Sequence, residues 1–400
     1  MDGISNWAAM SLVTSGGNSY NGSSGFKIGA DAADLIWEKA NQVNVGINAE
    51  LFNGRLALSV DGYYQKTSGL LYNISTLATT GYTTRTANIG SLENKGLEVM
   101  VSGKIFDGPF KWELATNLSY TKNKLLSLDG VLDMKINGGG ANTGKVMHAL
   151  MVGKPVSAFY MLRQDGIYQT DQEVPSKLYA KGVRAGDCKY FDYNNDGDIT
   201  DDDRMYVGKV TPDIYGGITS TMNWKNFDLS IFCQFAAGGK ILSAWKGCGG
   251  TEGTEHLGLA SSSIKGYKNG TLVDSEQFYN ISKYAANHYW RGEGTSNTVP
   301  RPTLAGTFTG GFGNNLVSTR YLEDASYFKF KTITLGYSLP HSLLSKIHVT
   351  GARIFVSLDN FFTLTKYSGY DPEFSYESNP TGNSYGADFG EQATLKSFII

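Results

Sequence analysis

The chain has 400 residues, a formal net charge of −2, 18% charged residues and 12% aromatic ones, led by 24 Tyr and 20 Phe. So small a net charge leaves no global electrostatic case for nucleic acid. Charged content below the soluble average of about 25%, with 49 Gly against 9 Pro, fits many strands joined by turns, or an exterior banded with aromatic side chains.

Taken in chain order, the first stretch, "MDGISNWAAMSLVTSGG", lacks the basic start and apolar core of a signal peptide. Read literally it suggests a cytoplasmic protein; the alternative is a chain that starts inside a longer one. Period-two alternation then recurs. Leu56, Leu58, Val60, Gly62 and Tyr64 fall on one face, with Ala57, Ser59, Asp61, Tyr63 and Gln65 on the other. Leu97, Val99 and Val101 oppose Glu98, Met100 and Ser102, and Trp112, Leu114, Leu118 and Tyr120 oppose Lys111, Glu113, Asn117 and Ser119. Side chains two apart share a face of a strand, so each segment has one apolar and one polar side. The next apolar stretch, residues 147–162, is cut by Lys154 and Pro155, and no run of about 18 apolar residues marks a transmembrane helix.

Residues 189–204, "KYFDYNNDGDITDDDR", carry the oxygen-ligand spacing of an EF-hand calcium loop. Asp192, Asn194 and Asp196 offer side-chain oxygens, Asp198 its backbone carbonyl, Thr200 a water-mediated contact, and Asp203 closes the loop, with Gly197 at the sharp turn. Hard oxygen donors suit Ca²⁺. Helices are missing on either side, so the expectation is a structural Ca²⁺ stiffening a loop; the bland counterpart is an acidic turn held by its own Asx hydrogen bonds without an ion.

Alternation returns in Phe227, Leu229, Ile231, Cys233 and Phe235 against Asp228, Ser230 and Gln234, and in Ile354, Val356 and Leu358 against Arg353, Ser357 and Asp359. One segment breaks step: Phe328 and Phe330 have one parity, Ile333, Leu335 and Tyr337 the other, which predicts a bulge near Lys331–Thr332. The segments run to about 9–12 residues, longer than ordinary strands and long enough to cross a bilayer when tilted. Tight links at 53–54, 107–109 and 225–226 alternate with long ones at 67–92, 123–155, 169–212 and 239–326. Short turns at one end and long loops at the other describe an outer-membrane barrel. A soluble sandwich, with its apolar faces pressed together, alternates in the same way.

Chemistry is sparse. Cys188, Cys233 and Cys248 form no CxxC pair, so neither a disulfide framework nor a cysteine zinc site is expected. His148, His256, His288, His341 and His348 build no HExxH, and there is no GxSxG elbow. "GGGANTGK" (138–145) lacks the full phosphate-loop frame. No enzymatic activity is expected. The 239–326 link holds Trp245, Tyr267, Phe278, Tyr279, Tyr284, Tyr289, Trp290 and Tyr321, which could stack on sugars or peptides and more commonly pack a loop on itself.

Several stretches in order resemble the SusC/RagA family of TonB-dependent outer-membrane transporters. They are 36–73, 88–99, 112–128, 157–169, 192–218, 226–241, "YFKFKTITLGYSLP" (327–340) and "ARIFVSLDNFFTLTKYSGYDPE" (352–373), the last two and the acidic loop being the most specific. The resemblance implies an all-β fold, an antiparallel transmembrane β-barrel of about 22 strands, of which ten or eleven strand candidates make residues 1–400 roughly the C-terminal half, without signal peptide, TonB box or plug. It implies long extracellular loops at 169–212 and 239–326. It further implies import of an oligosaccharide or peptide under a SusD-like lipoprotein lid, driven by a TonB complex acting on the missing N-terminal part. The rival function is a secreted, calcium-stabilised glycan-binding or adhesin module.

Overall fold

The computed structural model describes residues 13–20, 23–28, 34–75, 84–128, 134–137, 148–247, 258–259, 266–268, 271–273, 282–304, 313–345, 348–373, 385–390 and 393–400. Among them nine strands form one antiparallel sheet: β1 (Lys39–Leu51), β2 (Leu56–Ser68), β3 (Ser91–Asp107), β4 (Phe110–Ser127), β5 (Ile214–Trp224), β6 (Phe227–Ala237), β7 (Tyr327–Ser338), β8 (Arg353–Thr365) and β9 (Ser397–Ile399). Their spatial order is their chain order, a plain meander. Ten or eleven candidates were expected; nine lie in the sheet among the described residues. A further two-stranded pair, Val13–Tyr20 with Ser23–Ile28, stands apart from it.

Two strands running to 17 and 18 residues show why alternation was so legible. Register is unbroken between β1 and β2 and between β2 and β3, so a single parity places every side chain. The link after β1 is four residues, with Phe52, Asn53 and Gly54 at φ of 54°, 56° and 75°. Glycine relieves the left-handed turn at its last position. Between β5 and β6 the chain reverses over Lys225 and Asn226, with Lys225 at φ 54°. The opposite ends of the strands carry the long links, 69–90, 128–213 and 238–326.

The bulge expected near Lys331 is present. Pairing of β7 with β8 shifts between Phe330 and Thr332, and pairing with β6 shifts at Phe232–Cys233. Asn360 on the facing strand adopts φ 56°. The shift brings Phe328 and Phe330 onto the same side as Ile333, Leu335 and Tyr337.

Among the described residues no second sheet covers that side. Leu335 is 49% exposed, Ile354 58%, Phe362 54% and Leu364 64%, a continuous apolar surface far larger than a soluble monomer leaves bare. The stacked-sheet alternative is therefore not what the chain forms. Densely buried apolar residues lie instead in the long links. One cluster joins Phe159, Met161, Leu242, Ala244, Val317, Tyr321 and Ala387; another joins Leu162, Tyr168, Leu178, Val183, Cys188, Tyr190 and Ile199. Among the described residues no helix is long and apolar enough to cross a membrane.

Candidate functional site

The loop lobe is built first from short-range polar chemistry. In the acidic loop, Asp192 accepts the Asp196 and Gly197 N–H groups at 3.2 and 2.7 Å, Asn194 Oδ1 accepts Asp196 N–H at 3.0 Å, and Asp196 Oδ1 accepts Asp198 N–H at 2.7 Å. Gly197 at φ 77° makes the turn. Asp203 is fully buried and closes the loop, accepting Tyr193 N–H at 2.9 Å and Thr200 N–H at 2.7 Å in a capping box at the start of the 3₁₀ turn Asp201–Asp203. Asp198 turns to the short helix Ser176–Ala180, where Lys181 Nζ donates to both carboxylate oxygens at 2.6 and 2.7 Å, and Lys177 Nζ donates to the Asp196 carbonyl. The Lys181 hydrogen bond holds the Asp198 carboxyl below its ordinary value. Burial pushes the neighbouring Tyr168 hydroxyl up to about 12, with Asp192 adding to the rise.

The structure thus gathers all five expected ligands in one loop but divides their labour. Asp192, Asn194 and Asp196 each accept backbone N–H groups of the turn, their bonded oxygens each keeping a lone pair; Asp198 is paired with lysine and Asp203 is spent on backbone. Among the described residues no three carboxylate, imidazole or thiol groups stand ready as a metal cage.

Two long links are welded together by a carboxylate that sequence reading passed over. Asp187 is fully buried; Arg301 grips it through Nε at 2.8 Å and Nη2 at 3.0 Å, while Asn314 Nδ2 and the Arg184 N–H donate at 3.0 and 2.8 Å. Beside it the Arg301 N–H donates to Gly186 O at 2.7 Å. Gly186 sits at φ 91°, and a Cβ there would fall 2.4 Å from the Trp290 ring, so the close approach requires glycine. Trp290 Nε1 donates to Gln169 at 3.2 Å, and Asn297 Oδ1 accepts Ile167 N–H at 2.9 Å. Of the aromatic residues singled out in this link, Trp290 and Tyr321 pack within the lobe and Trp245 donates to Tyr367 at 3.3 Å. Tyr284 is exposed and stacks on His288. Phe278 and Tyr279, with Cys248, His256 and residues 138–145, lie outside the described residues.

The polar face of the sheet forms the other half of the site. A cleft of about 690 Å³ opens between this face and the residues that cross above it. Gln42, Asn44, Asp61, Tyr63, Gln65, Asn94, Glu98 and Asn123 line the wall, with Val156, Ser157 and Lys209 above. Asn123 Nδ2 donates to Asn94 at 2.6 Å while its Oδ1 accepts Val156 N–H at 2.9 Å, tying wall to loop. Farther along, Lys329 is 1% exposed and donates to Asp371 at 2.8 and 2.9 Å and to Glu373 at 2.8 Å. Lys331, at the bulge, reaches Glu373 at 2.8 Å, and the Thr394 hydroxyl donates to Asp371. These charges clamp the segment after β8 onto the wall. The described lining of the wall is rich in amide and carboxylate groups suited to binding.

The family model for the TonB-dependent receptor-like β-barrel matches residues 6–204. The chain is 30% identical over 374 residues to TonB-dependent receptor P3 of Formosa agariphila, covering 92% of this chain and 34% of that protein. It is 27% identical over 360 residues to TonB-dependent receptor SusC of Bacteroides thetaiotaomicron, covering 87% of this chain and 31% of that one. The structure of the RagAB peptide transporter superposes with a TM-score of 0.70 at 24% identity, over 99% of this chain and 38% of the other. The chain spans about a third of the length of the curated relatives it matches. Its sheet is an arc of an outer-membrane barrel, apolar side to lipid and polar side to the lumen, and the chain belongs to the TonB-dependent receptor family.

Proposed function

We propose that the intact protein is a TonB-dependent importer of oligosaccharides or peptides, and that this chain supplies the C-terminal part of its barrel together with the extracellular loops 169–212 and 239–326. The observation that carries the reading is the pairing of a bare apolar face with a polar, amide-rich lumenal wall on one sheet, with a densely packed lobe at the long-loop end. The lobe is a docking surface for a SusD-like lipoprotein lid, and the TonB complex acts through the part of the protein outside this chain. RagAB is described as a peptide importer and SusC as a TonB-dependent receptor, which supports import and leaves both ligand classes in the proposal. Purification of the intact receptor from its native membrane tests it. Co-purification of a surface lipoprotein, with loss of uptake of one oligosaccharide or peptide pool when the receptor gene is deleted, is the expected result. Unchanged uptake across both pools overturns it.

A structural Ca²⁺ held by Asp192, Asn194 and Asp196 with the Asp198 carbonyl belongs to the same proposal, as a stiffener of the lobe. The free lone pairs of those three side chains support it. Chelation of divalent ions in the intact receptor is expected to speed hydrogen exchange across 187–205 while leaving the β1–β8 amides protected; exchange unchanged by chelator and by added Ca²⁺ overturns it.

A further inference from the structure

Alternation carries through β2, β3 and β4 beyond the apolar band, and there the outward side chains change character. Register rows place Lys66 opposite Glu93 and Glu93 opposite Lys124; the neighbouring row places Tyr64 opposite Lys95 and Lys95 opposite Lys122. Lys95 Nζ lies 3.0 Å from Glu93. Tyr64 and Lys124 lie within electrostatic reach of Glu93, and by register these groups share the side that carries Leu58, Val60 and Leu97. Lys122 also borders the lumenal cleft, so Lys66, Lys95 and Lys124 carry the argument. Among the described residues three ammonium groups surround one carboxylate, a local excess of positive charge.

The height of this patch identifies what it meets. At about 3.3 Å per residue and a tilt of about 40°, the climb along β2 from Leu56 to Lys66 is about 25 Å, the height of a barrel's apolar band. Tyr64 and Tyr120, both two-fifths exposed, mark the interface just beneath, where tyrosine rings settle. The lysines therefore stand level with outer-leaflet headgroups, on the lipid side.

We infer that Lys66, Lys95 and Lys124 form a binding site for the phosphate groups of outer-leaflet lipid headgroups, fastening phosphorylated lipid to one side of the barrel. Glu93 spaces the ammonium groups so that a phosphate bridges two of them without their collapsing together. The inference rests on the barrel's membrane orientation and is independent of what is imported.

The test uses the intact receptor, with diphosphoryl lipid A, its dephosphorylated counterpart and phosphatidylcholine as probes, and bound lipids counted by native mass spectrometry. The triple variant Lys66→Gln/Lys95→Gln/Lys124→Gln is expected to lose retention of the diphosphoryl lipid by about fivefold per lysine, so about a hundredfold. The triple arginine variant and Lys225→Gln, at a short turn, retain it. Millimolar inorganic phosphate does not displace the lipid. Equal retention by the glutamine variant, equal retention of the dephosphorylated lipid, or displacement by free phosphate each overturns the assignment. Should the triple variant fail to assemble, Lys66→Gln alone decides, with about a fivefold loss expected.

Discussion

Lys329 shows how much one side chain can hold. Its ammonium is out of water and answered by Asp371 and Glu373 from a segment about forty residues away. Replacing it by Met strands two carboxylates, and breaking a buried pair on one side costs about 3–5 kcal/mol. The expected outcome is a lowered denaturation midpoint of the intact barrel and faster exchange at 366–373. Adding Asp371→Asn and Glu373→Gln to that variant recovers much of the loss, since the uncompensated charge is gone; no recovery would mean the lysine acts through its stem. Protonation tests two other carboxylates. Burial works to raise the Glu323 carboxyl, but hydrogen bonds from Ser243, Lys246 and Ser368 outweigh it and hold it low; Asp198 is held low by Lys181. A depressed folded-state value means stability that is present above the ordinary carboxylate range and lost as pH falls through the lowered values. Lobe amides near 198 and 323 should therefore exchange normally at neutral pH and lose protection in acid below about pH 4, before the strands do. None of these pairings was legible beforehand. Lys329 and Lys331 appeared only as polar positions in a strand that broke step, because partners distant in sequence leave no periodic trace.

At the scale of the strand, sequence was a good guide. Alternation at Leu56–Tyr64, Leu97–Val101 and Phe227–Phe235 is what the sheet displays, because register between neighbours is nearly continuous and one apolar face specifies it. The parity break at Phe330–Ile333 was legible as a bulge for the same reason: only an extra residue reconciles two opposite phases facing one solvent. Leu58 and Leu229 should accordingly tolerate shape changes and reject charge. Leu58→Arg or Leu229→Arg is expected to impair assembly of the intact barrel by about 2–4 kcal/mol near the midplane, read as lost heat-resistant mobility in a gel. Ser59→Arg, one residue over on the lumenal side, should assemble. Equal behaviour of Leu58→Arg and Ser59→Arg would mean that the two faces are misassigned.

For the whole molecule, the less legible part was the lobe. Among the described residues the long links contain the best-buried apolar clusters, assembled from short pieces too scattered for any period to reveal. Their joint is the Asp187–Arg301 grip beside Gly186. Asp187→Ala leaves a guanidinium without its carboxylate and should expose both links to protease at once. Arg301→Lys gives up the bidentate fork and should do so more mildly. Cleavage confined to one link would show that they are separate units.

That joint bears on how the lobe can be altered. The two segments that share Asp187 and Arg301 sit on either side of the β5–β6 hairpin, so neither can be exchanged between related proteins alone without importing half of an ion pair and a glycine fitted to another protein's tryptophan. An exchange of both segments together keeps the pair intact, and one that cuts between them parts Asp187 from Arg301 and loosens the lobe.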